Sequence, residues 1–198
     1  MDEWNVWYRV HDNRLEERYD LTDALSVAIY VNMMRRNCEA IEIANLAQMV
    51  NVIAPIFTSP EGMFPQTIYH PLRLAVEKSG SVALDAHVGC GTYSAEYAGV
   101  AAVPYLDALA TLDEGARKLF LSLVNLSKEE RQEVEIVVQD GEVSSGVAHV
   151  VTGEGPEVVN DFGKERVTCR RHVLGAVGAR FTYRMPGLTH AVLELELR

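Results

Sequence analysis

The residues best suited to chemistry stand at the start of the chain, where positions 2–8 read Asp-Glu-Trp-Asn-Val-Trp-Tyr. This stretch places adjacent carboxylates beside two indole rings and a phenol. Flat aromatic surfaces suit the C–H faces of a sugar, and carboxylates and amides bind its hydroxyl groups. On a strand, Asp2 and Glu3 point to opposite faces, so only one of them can face a ligand. The stretch is compatible with a carbohydrate-binding cleft, but taken alone it fits a chain terminus with stray aromatic residues better, with Glu3 as an ordinary surface carboxylate.

A second candidate group ends the next apolar segment. Residues 40–48 include two isoleucines and a leucine, and they predict a short buried strand that ends at Gln48. A glutamine amide can both donate a hydrogen bond to a sugar hydroxyl and accept one from it. A glutamine that bonds only to loop backbone is the alternative. We therefore treat Gln48 as a candidate sugar-binding residue at the second of two successive strand ends.

The helix between these segments is the clearest predicted element. Residues 21–37 carry an apolar stripe at helical spacing that is broad enough for packing on a sheet. Asp20 or Thr22 can cap its N-terminus, and two arginines suit the negative end of its dipole. The polar residues 9–20 predict a loop before it. A strand end, a helix and a strand thus follow one another, as in a βα unit and the next strand.

Residues that break regular structure punctuate the next stretch. Three prolines and a glycine within residues 51–65 predict a long loop. Residues 66–78 predict a helix that Pro71 interrupts near its start. Residues 79–81, which read Ser-Gly-Ser, mark a domain boundary.

After this boundary the apolar period changes to two. Apolar residues alternate with polar ones in several short segments, and glycine and proline separate these segments. The pattern is typical of an antiparallel β-sandwich, which we expect to span residues 81–198. Its predicted core includes Leu84, Leu121, Leu123, Val134, Ile136, Phe181 and Leu195.

The composition argues against several classes of protein. The chain has 198 residues and a net charge of −10, which argues against a nucleic-acid partner because phosphates require lysine and arginine. No apolar run is long enough to cross a bilayer, so no membrane partner is expected. The start, Met-Asp-Glu, lacks the pattern of a secretory signal. Three widely spaced cysteines favour a reducing compartment, and we expect a cytoplasmic protein.

Metal and cysteine-nucleophile sites find no support in the sequence. The six histidines form no HxH or HExxH pair, and no glycine-rich phosphate loop is present. Cys90 stands between two glycines, but no histidine or aspartate lies at an informative spacing from it. A structural thiol is therefore the better interpretation of Cys90. No metal and no cofactor are implied.

The first stretch also resembles the nucleophile segment of glycoside hydrolase family 51, the α-L-arabinofuranosidases. In that family the segment ends the seventh strand of a (β/α)8 barrel. Residues 43–56 resemble the family's eighth strand and the following loop, and residues 66–71 resemble the start of its eighth helix. Residues 103–107 and 160–163 resemble its C-terminal β domain. The likeness covers nearly the whole chain in the right order, which makes it specific.

This resemblance implies roles for three residues. Glu3 matches the catalytic nucleophile, Gln48 matches a residue that contacts arabinose, and Trp7 matches an aromatic residue at the aglycone side of the cleft. The implied reaction is the release of terminal arabinofuranose from arabinan, arabinoxylan or short oligosaccharides by a retaining mechanism. The resemblance also implies an intracellular homo-oligomer, often a hexamer in this family.

One part of the family's pattern is missing. Its acid/base glutamate lies in an Asn-Glu pair that ends the fourth barrel strand, and no Asn-Glu pair occurs in this sequence. The resemblance therefore implies an α/β plus all-β chain. Residues 1–80 would be the C-terminal fragment of a (β/α)8 barrel, and residues 81–198 would be the antiparallel β-sandwich. We expect such a chain to be inactive alone.

A chain of this kind should also leave some apolar side chains with little cover. Those expected to lose cover are Leu25, Ile29, Ile41 and Ile43. Two other hypotheses compete with this reading. The chain could be a non-catalytic β-sandwich module for carbohydrate binding or assembly, or a truncated gene product with no function of its own.

Overall fold

The structure is a computed structural model that describes residues 1–8, 18–128, 131–139 and 141–198, apart from the side chain of Tyr97. This part of the chain forms two α-helices and twelve β-strands. In chain order they are α1 (Leu21–Arg36), β1 (Ile56–Ser59), β2 (Gly62–Pro65), α2 (Tyr69–Glu77), β3 (Val82–Leu84), β4 (Thr92–Ala95), β5 (Val100–Pro104), β6 (Leu106–Asp113), β7 (Lys118–Asn125), β8 (Gln132–Val137), β9 (Val143–Thr152), β10 (Thr168–Gly175), β11 (Arg180–Met185) and β12 (Thr189–Leu197). Most of the loop predicted over residues 9–20 lies outside the described residues.

Six strands form one antiparallel sheet in the order β10-β9-β12-β7-β6-β3. Two separate antiparallel ladders join β8 to β11 and β4 to β5. The β8–β11 ladder packs with one face of the large sheet around a shared apolar core. The antiparallel β structure predicted after residue 81 is therefore confirmed.

The residues predicted for this core do lie in it or at its edge. Leu123, Ile136 and Leu195 are buried within the cluster. The other four are partly buried and pack against the cluster, namely Leu84, Leu121, Val134 and Phe181.

Both helices cover the opposite face of the same sheet. Alternate residues of β7 serve the two faces, because successive side chains of a strand point in opposite directions. Leu119 and Leu123 belong to the first core, whereas Phe120 and Val124 belong to the second. The second core also contains Leu21, Leu25, Ala28, Leu74, Val151, Val167 and Val192. This two-sided burial explains why β7 reads as a continuous apolar run.

The expectation that Leu25 has little cover is wrong. Leu25 is only 1% exposed, because α1 lies directly on the large sheet. Ile43 behaves as expected, with 67% of its surface exposed.

Helix α1 begins where its sequence signals predict. The Asp23 N–H donates to Asp20 Oδ1 at 3.0 Å, and the Asp20 N–H donates to Asp23 Oδ2 at 2.9 Å. This reciprocal pair is a capping box that satisfies two otherwise unpaired donors. Asn32 then reaches the sheet by donating to Asp107 Oδ2 at 2.8 Å, and Arg36 pairs with Asp107 Oδ1 at 2.7 Å. Polar contacts thus fix α1 on the sheet alongside its apolar stripe.

The strand predicted over residues 40–48 does not form. A single parallel bridge joins Leu46 to Trp4, and no longer ladder follows it in the described residues. The backbone of the segment bonds to the run 1–4 at Met1 and Trp4, without the regular register of a longer ladder. Its apolar pattern indicated burial, yet side chains such as Ile43 point into solvent.

The loop predicted over residues 51–65 contains a β-hairpin instead. Strands β1 and β2 pair antiparallel along their whole length. Pro60 lies in the tight turn between them, where its missing N–H is not needed. Gly62 has a φ of 144°, which glycine adopts readily. The prolines mark the ends of these strands rather than excluding them.

The prediction that Pro71 interrupts the second helix is also wrong. Helix α2 begins at Tyr69, so Pro71 falls in its first turn, where a proline is tolerated. Gln66 precedes the helix as a buried polar anchor. Its Nε2 donates to Ala54 O at 2.9 Å, and its Oε1 accepts from the Tyr19 N–H at 3.1 Å. Neither helix of the described chain has the length and apolar character needed to span a membrane.

Ion pairs connect the C-terminal end of α2 to the large sheet. Lys78 Nζ donates to Glu194 Oε2 at 3.0 Å, and Lys118 Nζ donates to Glu194 Oε1 at 2.6 Å. His149 Nε2 lies 3.1 Å from Glu194 Oε2. Residues on both sides of the boundary predicted at 79–81 therefore share one network, and the boundary itself stays a prediction.

Candidate active site

The two polar segments singled out in the sequence lie side by side. The Trp4 N–H donates to Asn45 O at 3.0 Å, and the Ala47 N–H donates to Trp4 O at 3.1 Å. These bonds form a parallel bridge. The Ala47–Gln48 peptide bond is cis. Glu3 comes just before this bridge and Gln48 comes just after it, so the structure places both on neighbouring paired segments, and both are exposed.

The side chain of Asn5 fastens the loop that carries Gln48. Its Nδ2 donates to Ala47 O and to Ile53 O, each at 2.6 Å. Its Oδ1 accepts from the Val6 N–H at 2.8 Å. The Gln48 N–H donates to Ile53 O as well, at 3.3 Å. The sequence did not single out Asn5, and the only available signal was its place between Glu3 and Trp7.

The loop after Gln48 has an unusual backbone. Asn51 and Val52 have φ values of 60° and 62°, a left-handed region that a β-branched valine rarely adopts. The Thr58 N–H donates to Asn51 Oδ1 at 2.7 Å, which ties the loop to β1. The loop is therefore held on two sides, by the hairpin and by Asn5.

The aromatic residues of the first segment differ in their exposure. Trp7 is 55% exposed, and its role in stacking on a sugar stays a prediction. Trp4 is half-buried, and its ring meets that of Tyr30 edge-on at 6.3 Å. Tyr8 is 46% exposed, and its hydroxyl donates to Asp23 Oδ2 at 3.1 Å. Trp4 thus packs within the fold, whereas Trp7 presents a free surface.

A cluster of three phenylalanines beside this loop was not predicted. Phe57 and Phe64 stack across the hairpin at 5.4 Å, and Phe162 meets Phe64 edge-on at 4.9 Å. The Arg18 guanidinium lies 5.2 Å from the centre of the Phe57 ring and pairs with Asp161 at 3.2 Å. The main-chain N–H of Phe162, and then Arg18, hold the pKa of Asp161 below its usual value. The cluster joins the hairpin to the β region, and it escaped prediction because the hairpin was predicted as loop.

An open apolar groove of about 700 Å³ lies beside the bridge. Its lining includes Trp4 and Leu46 from the paired segments, Met34 from α1, and Tyr69 and Leu72 from α2. No group of three or more metal-ligating side chains occurs among the residues that the structure describes. Because residues of α1 and α2 form much of its lining, the groove is a largely hydrophobic surface on the helical side of the candidate site.

Comparisons with known proteins agree with this arrangement. A family profile described as "Alpha-L-arabinofuranosidase C-terminal domain" matches residues 2–188. "Probable alpha-L-arabinofuranosidase C" of Aspergillus fumigatus is 36% identical over 193 residues, which cover 93% of this chain and 37% of that protein. "Intracellular exo-alpha-(1->5)-L-arabinofuranosidase" of Halalkalibacterium halodurans is 30% identical, covering 98% of this chain and 41% of that protein.

A solved structure gives the same result at the level of the fold. The α-L-arabinofuranosidase of Thermotoga maritima, solved as an arabinose complex, superposes with a TM-score of 0.90 at 31% identity. The match covers 99% of this chain and 42% of that one. The chain thus spans about two fifths of the length of these relatives. It belongs to the α-L-arabinofuranosidase C-terminal domain family and is homologous to the glycoside hydrolase family 51 α-L-arabinofuranosidases.

Proposed function

We propose that this chain supplies the nucleophile side of a retaining α-L-arabinofuranosidase. Glu3 is the nucleophile, Gln48 binds the arabinose ring hydroxyls, and Trp7 stacks on the aglycone. The single observation that carries the proposal is the parallel bridge at Trp4, which pairs the segment of Glu3 with the segment of Gln48, and both of these residues are exposed. The family membership of the chain supports the assignment of each role.

The proposed reaction proceeds in two steps. A carboxylate oxygen of Glu3 bonds to the anomeric carbon while the bond from that carbon to the leaving-group oxygen breaks. Water then cleaves the resulting glycosyl ester, which releases arabinose and restores the carboxylate. A general acid protonates an ordinary sugar leaving group as it departs. No residue of these 198 is assigned that acid role, because the sequence contains no Asn-Glu pair.

The proposed substrates are terminal arabinofuranosyl groups of arabinan, arabinoxylan and short oligosaccharides. The similarity to the Halalkalibacterium protein, an intracellular exo-α-(1→5)-L-arabinofuranosidase, supports this substrate class and a cytoplasmic location. We propose that residues 1–80 are the last part of a (β/α)8 barrel and residues 81–198 its β-sandwich domain, within a homo-oligomer.

The test is single-turnover labelling with an activated aryl α-L-arabinofuranoside, whose leaving group needs no proton. We expect the wild-type chain to release aryl alcohol slowly and to gain one arabinosyl group by intact mass. Glu3→Gln should do neither. Glu42→Gln is the matched control, since Glu42 is an exposed glutamate on the neighbouring segment. Arabinan itself should not be hydrolysed by the isolated chain.

Three results would contradict parts of this proposal. Equal turnover by wild type and Glu3→Gln would remove Glu3 from the mechanism. Rapid hydrolysis of arabinan by the wild-type chain would show that another of its carboxylates serves as the acid. Absence of the adduct on wild type, together with tight binding of arabino-oligosaccharides that Glu3→Gln leaves unchanged, would favour the non-catalytic carbohydrate-binding module.

A further inference from the structure

The amide of Asn5 uses all of its hydrogen-bonding groups on backbone partners. A primary amide has two N–H donors and one carbonyl acceptor. The donors reach Ala47 O and Ile53 O at 2.6 Å each, and the acceptor binds the Val6 N–H at 2.8 Å. A carboxylate has the same shape but could make neither donor bond. The arrangement is therefore specific for an amide.

The two acceptors of this amide bracket the loop that carries Gln48. Ala47 directly precedes Gln48, and Ile53 O also accepts the Gln48 N–H at 3.3 Å. Ala47 and Ile53 are 8% and 7% exposed, so water has little access to take the place of the amide. Asn5 thus closes the loop at both of its ends.

The loop requires such a restraint because two successive residues are left-handed, and one of them is a β-branched valine, which is strained there. Asn51 and Val52 have φ values of 60° and 62°. Left-handed backbone at non-glycine residues persists when the surrounding structure fixes it. Thr58 restrains the middle of the loop through Asn51, and Asn5 restrains its ends.

We propose that Asn5 is a positioning residue for sugar binding: it fixes residues 48–53 so that Gln48 keeps its place on the segment that pairs with the segment of Glu3. This rests on the proposed function, in which Gln48 contacts arabinose. The main-chain bonds of Trp4 hold the two segments together without Asn5. The contribution of Asn5 is therefore the placement of the loop, not the pairing of the segments.

The first experiment measures hydrogen exchange in Asn5→Asp, which keeps the shape of the side chain and removes both donors. Amides in residues 47–53 should exchange about tenfold faster, as expected for the loss of a hydrogen bond that closes a loop. Strand β7 should exchange as in wild type. Asn45→Asp is the matched control, because Asn45 is exposed on the neighbouring segment and should leave residues 47–53 unaffected.

The second experiment measures arabinose affinity by NMR titration of wild type, Asn5→Asp, Gln48→Ala and the double variant. If Asn5 acts through Gln48, Asn5→Asp weakens binding to the same extent as Gln48→Ala, and the double variant is no weaker than either. Additive losses would overturn the proposal. Asn5→Ser, which keeps one donor, should be intermediate in both measurements and replaces Asn5→Asp if that variant does not fold.

The two experiments separate failure of this proposal from failure of the proposed function. Unchanged exchange in residues 47–53, with a normal loss of affinity in Gln48→Ala, overturns only the positioning role of Asn5. Arabinose binding that Gln48→Ala leaves unchanged overturns the sugar-binding role of Gln48, and the positioning role falls with it.

Discussion

Glu194 on β12 joins several elements through one carboxylate. It accepts hydrogen bonds from Lys78 at the end of α2 and from Lys118 on β7, and it lies beside His149 on β9. Partial burial acts to raise the pKa of Glu194. The hydrogen bonds from Lys118, Lys78 and His149 outweigh burial and lower the pKa from 4.5 to about 2. Glu194 is therefore charged across the neutral range, where its ion pairs stabilise the fold.

We predict that Glu194→Gln lowers the free energy of unfolding near neutral pH. A carboxylate whose pKa falls on folding stabilises the protein above its unfolded pKa, and this contribution is lost as the pH falls from 4.5 towards about 2. The shift corresponds to roughly 3 kcal/mol, which solvent screening reduces to about 1–2 kcal/mol. Urea unfolding over a pH series should show the difference between variant and wild type shrinking as the solution becomes acidic.

Glu196→Gln is the matched control for this measurement. Glu196 lies two residues along β12, its side chain is 44% exposed, and it pairs with Lys118 at 3.1 Å. An exposed pair of this kind contributes little, so the control should unfold almost as wild type does. Equal losses in the two variants would contradict the role given to Glu194.

At the scale of single residues, the sequence located the candidate site but not its supports. Glu3, Gln48 and Trp7 were singled out because the segments that hold them resemble those of a known family, and their roles stay predictions. Asn5 could not, since its side-chain partners Ala47 and Ile53 lie 42 and 48 residues away. Side-chain bonds to distant backbone leave no local pattern.

Gly80, which lies between α2 and β3, packs closely against the backbone of β6. A Cβ at this position would stand 2.0 Å from the Leu112 carbonyl carbon and 2.1 Å from its oxygen. Backbone atoms of β6 cannot turn aside as a flexible side chain could. We predict that Gly80→Ala destabilises the protein by about 1–3 kcal/mol or more, as overpacking does, with a clear fall in the thermal midpoint.

The control for this variant is another glycine of the same region. Nothing lies within 4 Å of the position that a Cβ would take at Gly89. Gly89→Ala should therefore melt close to wild type. Similar melting of the two alanine variants would refute the close approach of Gly80 to β6.

At the scale of elements, local sequence signals predicted the helix start and the β region correctly, whereas the pairing of strands was predicted poorly. The capping residue of α1 and the period-two alternation of the β region depend only on residues close together in the sequence, and both predictions are confirmed. The hairpin β1–β2 was missed because its prolines were taken to exclude strands, whereas they stand at the turn and the strand ends. The strand expected over residues 40–48 depends on a partner, and the run 1–4 provides only a bridge.

At the scale of the whole molecule, the apolar groove carries strongly exposed hydrophobic side chains. Met49 and Val76 line it and are 64% and 82% exposed. Large exposed apolar patches promote association. We predict that the purified chain aggregates or binds hydrophobic dyes, and that Met49→Gln combined with Val76→Gln reduces dye fluorescence.

The control is Val173→Gln on β10, a valine that is 70% exposed and is not part of the groove lining. Its dye fluorescence should match that of wild type. A monodisperse wild-type chain that binds no dye and melts in one sharp transition would contradict the prediction.

The packing of α1 and α2 on the back of the six-stranded sheet has a consequence for how this protein can change. Leu25, Leu74 and Phe120 come from three elements and meet in one interior. A larger side chain on the sheet would therefore require a smaller one on a helix, even though the two belong to regions with different predicted roles. In a chimera that exchanged only the β region with that of a distant relative, the side chains of this shared interior would pack poorly, although every candidate site residue stayed unchanged. Substitutions in the helices and in the facing side of the sheet must therefore compensate one another in volume.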